Sequence, residues 1–202
     1  VITLSKAFDL GLDKARMKNA GDAERQRATA ATLISRLFHD DPDARWELQV
    51  LADEVGMGKT FVALGVAYSV LEAMARGEAP SELGGCYEKI VVLCPQNGSL
   101  LAKWHREVSE FVNRCVLPEG RVEARLWFRA APVCERLDEF VTALRKRGKY
   151  APRVVVAPMT VFGERKLRNY DAKRRFLLAA LFRYWGNAFR HERRDRLLLG
   201  AP

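Results

Sequence analysis

Thirteen residues, Leu48-Gln-Val-Leu-Ala-Asp-Glu-Val-Gly-Met-Gly-Lys-Thr60, constrain this chain more than any others. They read as a short apolar strand, a loop with two glycines, and the opening of a helix that continues through Phe61 to Ala75. Such a loop suits a phosphate. Its N–H groups and the unbonded amides of the helix's first turn converge on an anion, and the helix dipole favours negative charge there. Gly56 and Gly58 permit conformations and close approaches that a side chain would block. Lys59 is then placed to reach the β- and γ-phosphates, and the Thr60 hydroxyl to ligate Mg²⁺.

The stretch departs from the general pattern G-x-x-x-x-G-K-[ST], whose first glycine falls on Asp53. Asp53-Glu54-Val55-Gly56-Met57-Gly58-Lys59-Thr60 instead closely resembles motif I of superfamily 2 helicase-like ATPases, in particular Swi/Snf-type DNA translocases and their RapA-like relatives. The resemblance implies ATP and Mg²⁺ as cofactors, with all eight residues forming the nucleotide loop. It also implies a glutamine upstream that reads adenine. Gln26 is the candidate, although its helix position suits a solvent-facing side chain as well.

Further along, Lys89 to Cys94 is a continuous apolar run of the kind found in buried parallel strands. Pro95, Ser99, Leu100, Leu101, Trp104 and Glu107 follow in the order of the family's motif Ia. By that resemblance Gln96, Asn97 and Ser99 lie against a nucleic-acid backbone. Ser99 suits a helix N-cap equally well, and Trp104 suits core packing. Arg153 to Ala157 is a second buried strand. Pro158-Met-Thr-Val-Phe162 follows it like motif Ib, which puts Thr160 at a strand-backbone contact.

Other elements follow from periodicity. Ala28, Ala31, Leu33, Ile34, Leu37 and Phe38 predict a helix from Asp22, the expected N-cap, to about His39. Residues Val1 to Asn19 have no clean period and read as a loose leader. Arg121 to Phe128 alternates like a strand, and Pro132 to Arg147 reads as a helix. Asp138-Glu139 lies within that helix, and is therefore not the Walker B pair, which ends an apolar strand. The expected fold is α/β: a doubly wound parallel sheet, the first part of a RecA-like P-loop lobe. Residues 45–162 carry it, after a helical leader over 1–44 and before a basic helical segment over 163–202.

Charge adds a partner class. From Val141 to Pro202 there are sixteen Lys and Arg against four Asp and Glu, while the first 140 residues carry eighteen against twenty-one. A basic third of that kind suits a polyanion such as DNA, or equally a solvated arginine face. The four cysteines lack metal-ligand spacing and read as reduced thiols of a cytoplasmic protein; the translocase resemblance implies nucleoid association if the protein is bacterial, with a nuclear location left open. No apolar run is long enough to span a bilayer. The expected function is an ATP-dependent DNA translocase acting on duplex DNA. Its partners would be the remaining helicase domains and the proteins of a larger complex. No apolar strand ending in Asp-Glu occurs within the 202 residues, so a nucleotide switch without turnover is the alternative, and a small-molecule phosphotransferase a further one.

If the basic third faces DNA, replacing Arg174, Arg175 and Arg183 by alanine should flatten the slope of log K against log[salt]. The change should reach about three units if each arginine pairs with a phosphate. An unchanged slope in a salt titration would assign the charge to a solvated face.

Overall fold

A computed structural model describes residues 2–17, 19–46, 48–52, 58–78, 89–128, 133–148 and 150–162. The expectations placed on residues 53–57 and on the basic tail, with Arg174, Arg175 and Arg183, lie outside the described residues.

The centre of the packing is a helix that is apolar on nearly every side, α2 (Lys59–Ala75), with Val62, Leu64, Ala67, Tyr68, Val70 and Leu71 all buried. A helix without a polar face must be surrounded. On one side lies α1 (Ala20–Leu37), which sends Ala30 and Ile34 inward, and on another α3 (Gly98–Cys115), with Val108, Phe111 and Val112. Aromatic rings join the parts: Phe111 stacks on Phe8 at 6.0 Å and on Phe128 at 5.0 Å, and Tyr68 leans on both Phe111 and Phe128.

Strands β1 (Ile90–Cys94) and β2 (Val154–Pro158) form a parallel pair in register from Ile90↔Val154 to Cys94↔Pro158. On one face Val154 and Val156 enter the large cluster around α2 and α3. On the other, Val155 and Ala157 meet Phe140 and Ala143 of α5 (Leu137–Arg145). Helices thus cover both faces of β2, as expected for a parallel strand. Val91 and Leu93, opposite Val155 and Ala157, remain 40% and 45% exposed. The described sheet has two strands and an isolated parallel bridge, Val133↔Val156.

Several expectations are corrected. The leader is not loose. Ile2, Phe8 and Leu10 are buried, and the chain pairs with the end of α3 through Asp9 N–H to Cys115 O (2.9 Å) and Leu117 N–H to Ala7 O (2.8 Å). Arg27 of α1 also donates to the Phe8 carbonyl. Such long-range anchoring leaves no periodic trace in sequence. Helix α1 begins at Ala20, with Asn19 at the N-cap position and Asp22 in its first turn. Leu48 to Ala52 forms no strand, and Leu48 and Val50 are 77% and 79% exposed.

Arg121 to Phe128 is not a strand either. It forms α4 (Arg121–Trp127), following a 3-10 turn that starts with Pro118. Ala124 and Phe128 are buried one helical turn apart while Val122 is 70% exposed. Over eight residues, alternation and helical spacing share positions, and packing decides. The helix expected from Pro132 starts only at Leu137. Before it, Val133 bridges to β2 and Cys134 N–H reaches Val156 O at 2.9 Å. Asp138 and Glu139 lie exposed in the first turn of α5, where Glu139 accepts from Arg136 N–H and Asp138 pairs with the Arg136 guanidinium.

Among the described glycines the closest approach is at Gly65, where a Cβ would lie 2.3 Å from Cζ of Phe8. Gly65→Ala should therefore cost about 1–3 kcal/mol. In urea denaturation the loss should shrink in a Phe8→Leu background. A neutral Gly65→Ala would contradict this ring-on-backbone contact.

Candidate nucleotide site

The site is built from the start of α2. Gly58 takes the N-cap position with φ +79° and ψ 17°, a left-handed conformation that an L side chain adopts only under strain. Its carbonyl accepts from Phe61 N–H at 2.9 Å and Val62 N–H at 3.1 Å, which closes the first turn. Gly58 has no side chain with which to cap this end, and no acidic residue occupies the first turn. The first turn of this 17-residue helix thus carries no carboxylate of its own, a setting that suits an anion. Lys59 and Thr60 are half-buried on that turn.

Gln26 was expected as a solvent-facing helix residue or an adenine reader. Solvent-facing it is not: the residue is 4% exposed. Its carboxamide lies against the Gly58 backbone, where a Cβ on Gly58 would come within 2.5–2.7 Å of Oε1, Nε2 and Cδ. Among the described residues Oε1 has no hydrogen-bond partner, and Nε2 meets only the Met17 sulfur, at 3.9 Å. Whichever way the amide is turned, one buried polar end is left unanswered. Such a group costs about 1–3 kcal/mol unless a donor or acceptor reaches it. The packing of α1 on α2 puts it there, which the α1 sequence alone does not reveal.

Behind the first turn lies a charge network that sequence reasoning missed. Arg16 donates from Nη1 to Glu107 Oε2 at 2.7 Å, and its guanidinium covers the Phe61 ring at 4.7 Å from the centroid. Glu107 is 3% exposed. Asp13 Oδ2 stands 3.7 Å from Arg16 and 3.6 Å from Arg114, and Arg114 in turn binds Glu110 at 2.8 Å. The hydrogen bond and charge of Glu107 push the Arg16 pKa above its ordinary value. Arg16 and Glu107 are 91 positions apart, so no local signal could have paired them.

The candidate nucleic-acid residues sit at one end of the sheet. Cys94 and Pro158 are partners in register, so Gln96 and Asn97 leave β1 beside the point where Met159 and Thr160 leave β2. Gln96, Asn97 and Ser99 are exposed. Asn97, not Ser99, caps α3: its Oδ1 accepts from Ser99 N–H at 3.0 Å, Leu100 N–H at 3.4 Å and Ser99 Oγ at 2.7 Å. Two residues earlier the amide reaches amides of the first turn, the role that Ser99 would have filled had the helix begun after it. Thr160 is half-buried, and its Oγ1 has no hydrogen-bond partner among the described residues. Trp104 packs partly buried against the main core.

Among the described residues no cluster of His, Cys, Asp and Glu could hold a metal ion, and no helix is long and apolar enough to cross a membrane. Cys94, Cys115 and Cys134 are buried free thiols; burial pushes Cys115 up to about 12, so it stays protonated and unreactive. A cavity lined by Ile2, Leu4, Ile34, Phe38 and His39 shares no residue with the α2 N-terminus. Comparison with known proteins finds no matching family model, no matching curated protein and no matching solved structure.

Gly58→Ala tests the geometry. It combines a left-handed backbone with a collision against Gln26, and should lower the urea midpoint clearly. In a Gln26→Ala background the collision disappears and only the backbone penalty, about 1 kcal/mol, should remain. Equal losses in both backgrounds would place Gln26 elsewhere.

Proposed function

We propose that this chain is the nucleotide-binding part of an ATP-dependent DNA translocase of the Swi/Snf type. The observation that carries the reading is the uncapped start of α2, with Gly58 left-handed, Lys59 and Thr60 on the first turn, and the unanswered Gln26 amide against it. Lys59 would bind the β- and γ-phosphates and Thr60 would ligate Mg²⁺, which neutralises charge between the phosphates. Gln26 would meet the adenine edge, supplying the polar partner that its amide lacks. Asp53 to Met57 would complete the loop, by the motif resemblance alone.

Gln96, Asn97, Ser99 and Thr160 would take the nucleic-acid backbone, consistent with their common place at one sheet end. A cytoplasmic or nucleoid location fits this role. The alternative, a switch that binds nucleotide without hydrolysing it, has one observation in its favour. Among the described residues, Asp138-Glu139 is the acidic pair nearest in type to Walker B, and it occupies an exposed helix turn. A carboxylate there is not placed by a strand end to orient a metal-bound water.

Calorimetric titration of ATP with Mg²⁺, alongside phosphate release in the presence of duplex DNA, tests the proposal. The unmodified chain should bind and release phosphate at background level. Lys59→Ala should stay folded and lose about 1.5–3 kcal/mol of binding, the usual worth of a charge-assisted contact. Unchanged affinity in the folded variant would remove the nucleotide reading. Sustained DNA-stimulated turnover that Lys59→Ala abolishes would keep the binding site and overturn the expectation of binding without turnover.

A further inference from the structure

We propose that Arg16 is a positioning residue for the nucleotide site, acting through Phe61 on the first turn of α2; the inference rests on the nucleotide reading above. Three observations combine. First, Gly58 offers the turn no capping side chain, and among the described residues the Gln26 amide lies against it without a hydrogen bond. Secondly, Phe61 helps to close that turn, because its N–H is bonded to Gly58 O at 2.9 Å, beside that of Val62 at 3.1 Å. Its ring is buried, so the attitude of the turn follows the packing of this ring. Thirdly, the Arg16 guanidinium carbon lies over that ring, 4.7 Å from its centroid, while its Nη1 is held by Glu107 at 2.7 Å.

Arg16 is thus a plate between the start of α2 and the middle of α3. The charged groups around it define how firmly it is held. Glu107 is the close anchor, Asp13 stands at 3.7 Å, and Arg114 shares Asp13 and binds Glu110. A hydrogen bond to Glu107 and an ion pair with Asp13, on a different element, hold a planar fork in orientation as well as position, which a flexible ammonium does less well. The ring face gains from the cation above it. Neither Arg16 nor Glu107 is assigned to touch the nucleotide; they set the attitude of the residues that would.

The test compares affinity in folded protein with stability. Arg16→Met, Arg16→Lys, Phe61→Leu and Lys59→Ala are made in the full 202-residue chain, and each is titrated with ATP and Mg²⁺ after urea denaturation has established its folded fraction. Arg16→Met should bind on the order of tenfold more weakly even where fully folded, the kind of loss seen when orienting residues behind a ligand are removed. Arg16→Lys should recover part of the affinity, and Phe61→Leu should resemble Arg16→Met. A merely structural Arg16 would lower the urea midpoint and leave the affinity of the folded variant at the unmodified value, which would overturn the proposal. Should Arg16→Met fail to fold, Phe61→Leu decides: unchanged affinity there overturns the route through the ring. Lys59→Ala separates the two readings. If it loses binding while Arg16→Met and Phe61→Leu do not, the site stands and the positioning role falls. If it changes nothing, the site itself falls, and this inference with it.

Discussion

Everything described here leans on the burial of α2. A helix with no solvent-facing stripe has to be enclosed, and its polar groups have to be answered inside the enclosure. The chain meets both demands with residues from far away. Ser69 donates to Gly65 O and accepts from Ser5 N–H, so one buried hydroxyl ties the N-terminal segment to α2. Glu72, also buried, takes the Arg76 guanidinium at 2.9 Å and the Tyr68 hydroxyl at 3.3 Å; burial and this carboxylate together push Tyr68 up to about 12. Phe8 reaches the α2 backbone because Gly65 has no side chain. Once so many contacts converge on one helix, its first turn is set by the whole core.

That convergence explains what was legible in the sequence. The run after Met57 announces a helix, and α2 begins at Lys59. The apolar runs ending at Cys94 and Ala157 announce strands, and both pair in parallel. Each signal is local and long enough for one period to dominate. The apolar run from Leu48 to Ala52 sent the same signal, yet those residues form no strand. A strand needs a partner, and local composition does not supply one.

The losses have a common cause. The N-terminal segment is apolar without period because each of its residues is placed by a different neighbour: Ile2 by the cluster of Ile34 and Val70, Phe8 by Gly65 and Phe111, Asp13 by Arg16 and Arg114. Arg121 to Trp127 is too short for its pattern to choose between two periods, and the position of Phe128 among the aromatic rings chose helix. Of the candidate site, the residues of the loop and its helix were readable from a motif. The partner groups, Gln26 as a buried residue and Arg16 with Glu107, became visible only with packing.

Gln26 and Glu107 also differ in a way that bears on function. Glu107 is a buried charge with its counterion in place, and pairing of that kind answers the cost of burial locally. Gln26 is buried with an end of its amide unanswered, a standing penalty of about 1–3 kcal/mol in a protein whose whole stability is about 5–15 kcal/mol. A leucine or methionine at that position would fill similar space without the penalty. A structural role alone therefore accounts for Glu107, whereas no partner among the described residues accounts for the Gln26 amide. The penalty is relieved if a ligand with a complementary polar edge lies between α1 and the start of α2, so that binding recovers what folding left unsatisfied. If that ligand is the proposed nucleotide, Arg16 and Glu107 serve as the frame and Gln26 as the buried group that meets it.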